Sequence, residues 1–112
     1  MQVSIVVPLY NEIENVELLY QAVTDVMEQT SWQYEIVMVD DGSTDGTSDH
    51  LAEIAQRDGR VKVVEFRRNF GQTAAMRAGF DFAEGECVIT MDGDLQNEPA
   101  DIAMMVEKLN EG

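Results

Sequence analysis

Positive charge is what this chain has least of. Seven Lys and Arg stand against 22 Asp and Glu, a formal charge of −15 over 112 residues. No cation precedes Arg57, whereas the acidic residues run through both halves. Neutralising the phosphates of a nucleic acid or an anionic bilayer takes a basic patch, so nucleic acid is not an expected partner. An anionic ligand near the N-terminal half has to be neutralised by a metal ion or by backbone amides. Cysteine is nearly absent as well. The single Cys87 cannot form an internal disulfide and fits a reducing compartment; inside an apolar run it reads as packing, not catalysis. His50, the one histidine, has no Cys or His at metal-ligand spacing and reads as a surface residue.

Other absences narrow the field further. No apolar stretch approaches the ~20 residues that span a bilayer, and the short apolar N-terminus lacks the basic flank of a signal peptide. The chain as written is therefore expected to be soluble and cytoplasmic. Neither a G-x-x-x-x-G-K-[ST] loop nor a G-x-G-x-x-G after the first apolar run occurs, against P-loop NTPases and dinucleotide oxidoreductases. The length suits one core and not two, so residues 1–112 are taken as one domain.

Against these gaps, four apolar runs rich in β-branched residues stand out: Val3–Val7, Ile36–Val39, Val61–Phe66 and Cys87–Met91. Their near-continuous hydrophobicity is that of strands buried on both faces, as in parallel sheets. Helical patterns lie between them. Asn11 with Glu14 resembles a capping box ahead of the stripe Val16, Leu19, Val23 and Val26. Leu51, Ile54 and Ala55 mark a second helix stopped by Asp58-Gly59, and Ala75, Met76, Gly79, Phe80 and Ala83 a third ending near Gly85. Pro99 suits the first turn of a fourth, with the stripe Ile102, Met105, Val106 and Leu109. Strand and helix alternate four times, which predicts an open parallel α/β sheet, Rossmann-like in character.

In such sheets ligands bind beyond the carboxyl ends of the strands, and each predicted strand empties into a polar cluster. Pro8-Leu9-Tyr10-Asn11-Glu12 follows the first, Asp40 to Thr47 the second, Arg67 to Gln72 (with Gly71) the third, and Asp92-Gly93-Asp94-Leu95-Gln96 the fourth. Some of these fit plainer roles. Asn11 suits a helix cap as well as a ligand contact, Ser43 and Thr44 suit turn chemistry, Arg67 and Arg68 could simply solvate a strand end, and Arg77 reads as surface. Asp40 is harder to set aside, because a carboxylate ending a buried strand is costly without a partner.

Asp92 and Asp94 are the sharpest signal. Alternate side chains of an extended segment point the same way, so these carboxylates can converge on one point, where a divalent cation would relieve their repulsion. Mg²⁺ typically takes one or two carboxylates plus substrate phosphates. A diphosphate bridged to Asp94 through Mg²⁺ or Mn²⁺ would supply the missing countercharge.

Taken in order, VSIVVPLYNE (Val3–Glu12), VDDGSTDGT (Val39–Thr47), RNFGQTAAMRAG (Arg68–Gly79) and MDGDLQNEP (Met91–Pro99) closely resemble family 2 glycosyltransferases of GT-A fold. Asp94 to Pro99 together with Asn69 to Gln72 resemble the branch acting on polyprenyl phosphates, which includes dolichyl-phosphate mannose synthases and undecaprenyl-phosphate relatives. The resemblance covers essentially the whole chain. It implies a sheet order of 3-2-1-4 and inverting transfer of a sugar from a UDP- or GDP-sugar to a lipid phosphate. It further implies that Pro8, Tyr10, Asn11, Glu12, Asp40, Asp41, Gly71 and Asp92 line the donor pocket. Asp94 and Gln96 would hold Mg²⁺ or Mn²⁺, with Asp92 and Asp94 at the reaction centre.

Members of that branch run well beyond 112 residues, and their later parts carry the acceptor site and often membrane helices. The chain is accordingly expected to be the donor-binding part of an enzyme at the cytoplasmic face of a membrane, and to transfer sugar poorly alone. An exposed edge at Cys87–Met91 suggests a homodimer. Of three other readings, the first two fit less well and the third stays open. A receiver-type phosphoacceptor domain needs an acidic pair after the first strand, where Tyr10-Asn11-Glu12 stands. A nucleotidyltransferase needs a basic glycine-rich loop there. A noncatalytic nucleotide-binding module differs only in what lies downstream.

Overall fold

A computed structural model of the chain describes residues 2–90. Seven elements alternate: β1 (Gln2–Leu9), α1 (Val16–Glu28), β2 (Gln33–Asp40), α2 (Thr47–Arg57), β3 (Val61–Glu65), α3 (Gln72–Phe82) and β4 (Cys87–Thr90). The expected fourth helix lies outside the described residues, as does Met91. The strands form one sheet in the order β3-β2-β1-β4, and each neighbouring pair is parallel. Both the architecture and the implied strand order are therefore as expected.

Alternation along the two central strands builds the core on both sides of the sheet. Val3, Ile5, Val7 and Leu9 of β1 and Tyr34, Ile36 and Met38 of β2 cluster with Val16, Leu19, Val23 and Met27 of α1 and with Leu51 and Ile54 of α2. Val6, Val37 and Val39 face the other way and cluster with Ala75 of α3. Each fully buried aliphatic side chain of this kind contributes roughly 1.5–3 kcal/mol. α3 comes very close to the sheet, for a Cβ built on Gly79 would stand 2.2 Å from Cγ1 of Val6.

Two local expectations are corrected. The capping box of Asn11 and Glu14 does not form: α1 begins at Val16, with Asn15 as its N-cap residue. Asn11 sits instead in the left-handed region at φ 52°, five residues ahead of the helix. The apolar pattern of the third helix includes Phe80, whose side chain is instead 50 % exposed. Among the described residues of α3 only Ala75 and Gly79 are buried, because small residues are what the tight approach to the sheet admits.

A polar group lies within the α3 side of the sheet, at the end remote from the polar rim. Ser4 and Glu35, opposite one another in the β1–β2 register, are both buried. The Ser4 hydroxyl donates to Glu35 Oε2 at 2.5 Å, and the Glu84 amide donates to the same oxygen at 2.6 Å. Lys62 Nζ lies 2.8 Å from Glu35 Oε1. The Gly85 amide in turn donates to Ser4 Oγ at 2.8 Å, which ties the approach to β4 into the sheet.

Candidate functional site

The carboxyl ends of β1, β2 and β3 lie side by side because the strands are parallel and adjacent. Leu9 pairs with Asp40 and Asp40 with Glu65, so the three loops that follow leave the sheet at one level. Hydrogen bonds between loops then fix their shape.

The first staple joins the β1–α1 loop to the β2–α2 loop. The Asn11 amide donates to Ser43 Oγ at 2.9 Å, while Asn11 Oδ1 accepts the Thr44 amide at 2.7 Å. Next to it, the Glu12 amide donates to Thr47 Oγ1 and the Ile13 amide to Asp45 Oδ2. Asp45 also accepts from the amide and hydroxyl of Thr47, at 3.0 and 2.5 Å. Burial works against its charge, but the Thr47 hydroxyl and the Ile13 and Thr47 amides outweigh it and hold the Asp45 carboxyl below the usual range. Ser43 and Thr44 thus do turn chemistry with Asn11, more than thirty residues away, while Asp45 links Thr47 beside it to Ile13 of the other loop.

The second staple joins the β2–α2 loop to the β3–α3 loop. Asp41 is 4 % exposed. Its Oδ1 accepts the Phe70 amide at 2.7 Å, and its Oδ2 accepts the Gly71 amide at 3.0 Å and Asn69 Nδ2 at 3.2 Å. The Phe66 amide donates to the carbonyl of Asp40. Gly42, at φ 73°, lies so near the Arg68–Asn69 backbone that a Cβ would fall 2.2 Å from the Arg68 carbonyl carbon.

Of the candidate donor-pocket residues, Pro8 is buried in β1 and Tyr10 stands 46 % exposed where the strand ends. Asn11 and Glu12 lie in the loop beyond, with the Glu12 carboxylate accepting from Asn15 Nδ2 at 2.9 Å. Asp40 is 1 % exposed and accepts the Ser43 amide through Oδ1 at 3.1 Å, which supplies the partner its position demands. Gly71, at φ 101°, immediately precedes α3. These residues therefore share one rim. Asp92, Asp94 and Gln96 lie outside the described residues.

Charge is partitioned along the same axis. Arg57, Arg60 and Lys62 are ion-paired to Glu17, to Glu28 and Asp58, and to Glu35 and Glu84. Arg67 and Arg68 are exposed on the rim loop, and Arg68 lies 4.7 Å over the Phe70 ring. His50, read as a surface residue, is half-buried with Nε2 3.1 Å from Glu17 Oε1. Cys87 is half-buried in β4. No group of three or more His, Cys, Asp or Glu side chains among the described residues is arranged to hold a metal ion. No helix among them is long and apolar enough to cross a membrane.

A parallel sheet of order β3-β2-β1-β4, with its polar loops gathered at the carboxyl ends, is the architecture of the nucleotide-binding half of a GT-A fold. The sequence signature of "Glycosyl transferase family 2" matches residues 4–112, and the chain belongs to that family. It is 46 % identical over 110 residues to a dodecaprenyl-phosphate galacturonate synthase of Rhizobium johnstonii, covering 97 % of this chain and 32 % of that protein. It is 45 % identical over 111 residues to an undecaprenyl-phosphate 4-deoxy-4-formamido-L-arabinose transferase of Edwardsiella ictaluri, covering 98 % and 34 %. The chain thus spans about a third of the length of these relatives. Among solved structures, the mannosyltransferase PcManGT of Pyrobaculum calidifontis, in complex with GDP-Man and Mn²⁺, superposes with a TM-score of 0.74 at 28 % identity, over 96 % of this chain and 32 % of that one. TarS of S. aureus in complex with UDP-GlcNAc gives 0.71 at 26 % identity, over 96 % and 32 %.

Proposed function

We propose that this chain is the donor-binding part of a glycosyltransferase that takes a UDP- or GDP-sugar together with a divalent cation, and that the whole protein transfers the sugar to a polyprenyl phosphate. The observation that carries the reading is the rim itself. The loop of Tyr10 and Asn11, the loop that follows Asp40 and the loop of Gly71 are stapled to one another at the ends of adjacent parallel strands, where α/β sheets take their ligands. The names of the two polyprenyl-phosphate relatives support the acceptor class, and the nucleotide-sugar complexes of the structural neighbours support the donor class.

The metal ligands are those that the family resemblance implies, and the two carboxylates at the end of β2 are already engaged elsewhere. Asp41 is engaged by three donors and Asp40 by the Ser43 amide. Asp94 and Gln96 offer the hard oxygen atoms that Mg²⁺ and Mn²⁺ favour and would hold the ion. When bound, the ion offsets negative charge on the donor diphosphate. Asp40 and Tyr10 would orient the base and ribose, and Asp92 the ribose and sugar. Transfer is a single displacement: an acceptor phosphate oxygen forms a bond to the anomeric carbon as the bond to the diphosphate breaks. The bonding pair leaves with the nucleoside diphosphate, so configuration inverts. A phosphate nucleophile is already anionic near neutral pH, so orientation and charge neutralisation suffice without a general base.

Isothermal titration of the chain with UDP, GDP and their sugars, in Mn²⁺ and in chelator, tests the donor half of this reading. One nucleotide is expected to bind at least tenfold more tightly with Mn²⁺, and Asp94→Ala to abolish the difference. Equal binding with and without metal, or no effect of Asp94→Ala, overturns it.

A further inference from the structure

The sequence motif places Asp41 beside Asp40 as a second donor contact, but its geometry assigns it other work. Both carboxylate oxygens are turned away from solvent and spent on the β3–α3 loop: the Phe70 amide on Oδ1, the Gly71 amide and the Asn69 side chain on Oδ2. A carboxylate that accepts several amide donors is held firmly, and here the donors are successive residues of one loop. Gly42 completes the joint from the other side. Its missing Cβ lets the Arg68–Asn69 backbone lie against it, with the 2.2 Å approach leaving no space for a methyl group.

We infer that Asp41 is a positioning residue for donor binding: it does not touch the nucleotide, but holds the loop of Arg67 to Gly71 against the Asp40 loop so that the rim has one shape. This rests on the proposed function above. The clamp sets where α3 begins, because Gly71 is both its N-cap residue and a donor to Asp41. It also holds the loop that carries the exposed Arg67 and Arg68, whereas Arg57, Arg60 and Lys62 are ion-paired elsewhere. Phe70 of the same loop meets the Phe66 ring edge-on at 5.6 Å while remaining 53 % exposed.

The test separates positioning from contact by perturbing the clamp from both sides. Asp41→Asn leaves one acceptor oxygen where two are used. Gly42→Ala, which adds no polar group, pushes the loops apart. Asn69→Ala removes only the side-chain donor and is the milder variant, should either of the others fold poorly. Each protein is titrated with UDP and GDP in Mn²⁺, and cleavage after Arg67 and Arg68 is followed by limited trypsin digestion and mass spectrometry. Asp41→Asn and Gly42→Ala are expected each to weaken nucleotide binding by roughly tenfold and to speed cleavage at Arg67 and Arg68. The double variant is expected to lose little more than either single one, because both act through the same loop; Asn69→Ala should follow in the same direction, less strongly. Weakened binding in Asp41→Asn with unchanged cleavage, beside a silent Gly42→Ala, would mean direct contact and overturn the inference. So would faster cleavage with unchanged binding. A wild-type chain that binds neither nucleotide overturns the donor reading itself, and this inference with it, while the cleavage rates still report on the clamp.

Discussion

Ser4 and Glu35 face each other across two central strands, both buried, with a 2.5 Å hydrogen bond between them. Burial pushes the Glu35 carboxyl up, but Lys62, the Ser4 hydroxyl and the Glu84 amide together pull it below the ordinary carboxylate range. Its charge is therefore a stabilising feature of the fold as long as Lys62 stays. Lys62 is 38 % exposed at its side chain, so removing the ammonium costs little in itself; the cost is the buried carboxylate left behind. Lys62→Met is expected to lose about 1–3 kcal/mol at pH 7. A carboxyl depressed in the folded state stabilises above its unfolded pKa, and that contribution fades as pH falls through the folded value. The deficit of Lys62→Met should therefore shrink when urea denaturation is repeated near pH 3. An equal deficit at both pH values would show that Lys62 acts by packing alone.

Asp58 gives a second pH-dependent term at the junction of α1, α2 and β3. Burial opposes its charge, but Arg60 through two nitrogens and the Tyr20 hydroxyl at 2.7 Å prevail, and its pKa falls from 3.8 to about 2. A depression of that size corresponds to roughly 2 kcal/mol of stability, present above pH ~4 and lost as pH falls towards 2. Asp58→Asn should be less stable than wild type at pH 6 and should show a flatter stability profile between pH 4 and 2. Parallel profiles for the two proteins would place the acid sensitivity elsewhere.

The strands were readable because β1 and β2 are covered on both faces, and two-sided burial leaves runs such as Val3–Val7 with almost no polar interruption. The rim was readable for the converse reason: each run stops abruptly in polar residues where the chain leaves the sheet. What sequence could not supply was the partner of each polar group. Asn11 and Glu14 have the spacing of a capping box, and the same residue types serve turns. Only the left-handed backbone at Asn11 and the presence of Thr44, 33 residues on, decide between the two. Glu35 likewise looks out of place inside an apolar strand until the register sets Ser4 opposite it. Phe80 falls outside the packed face because a helical stripe gives the direction of the apolar face and not its width; α3 lies so close to β1 that the residues buried beneath it are Ala75 and Gly79.

The joint between the first two loops can be tested at Asn11, where two contributions separate. Its Oδ1 accepts the Thr44 amide, and its backbone adopts φ 52°, which asparagine and glycine tolerate better than alanine. Asn11→Gly loses the acceptor but keeps the conformation, whereas Asn11→Ala loses both. The alanine variant should be the less stable of the two by about 1 kcal/mol, and both should fall below wild type in thermal melts. The reverse order, or no loss in either, would mean that the loop holds its shape without Asn11.

Gly79 offers the plainest test of the packing that positions α3, and hence the loop at its N-terminus. In an exposed helix interior, replacing glycine by alanine gains up to ~1 kcal/mol, because alanine is the better helix former. Here the added methyl would meet Val6 Cγ1 at 2.2 Å and Val39 Cγ2 at 3.4 Å. Both are fully buried side chains in strands. Overpacking of this kind costs about 1–3 kcal/mol, which exceeds the propensity gain. Gly79→Ala is therefore expected to be destabilised in chemical denaturation. The double variant with Val6→Ala, which removes the clashing methyl groups, should cost less than the sum of the two single changes. If Gly79→Ala were instead more stable than wild type, α3 would have to sit further from β1 than this packing allows.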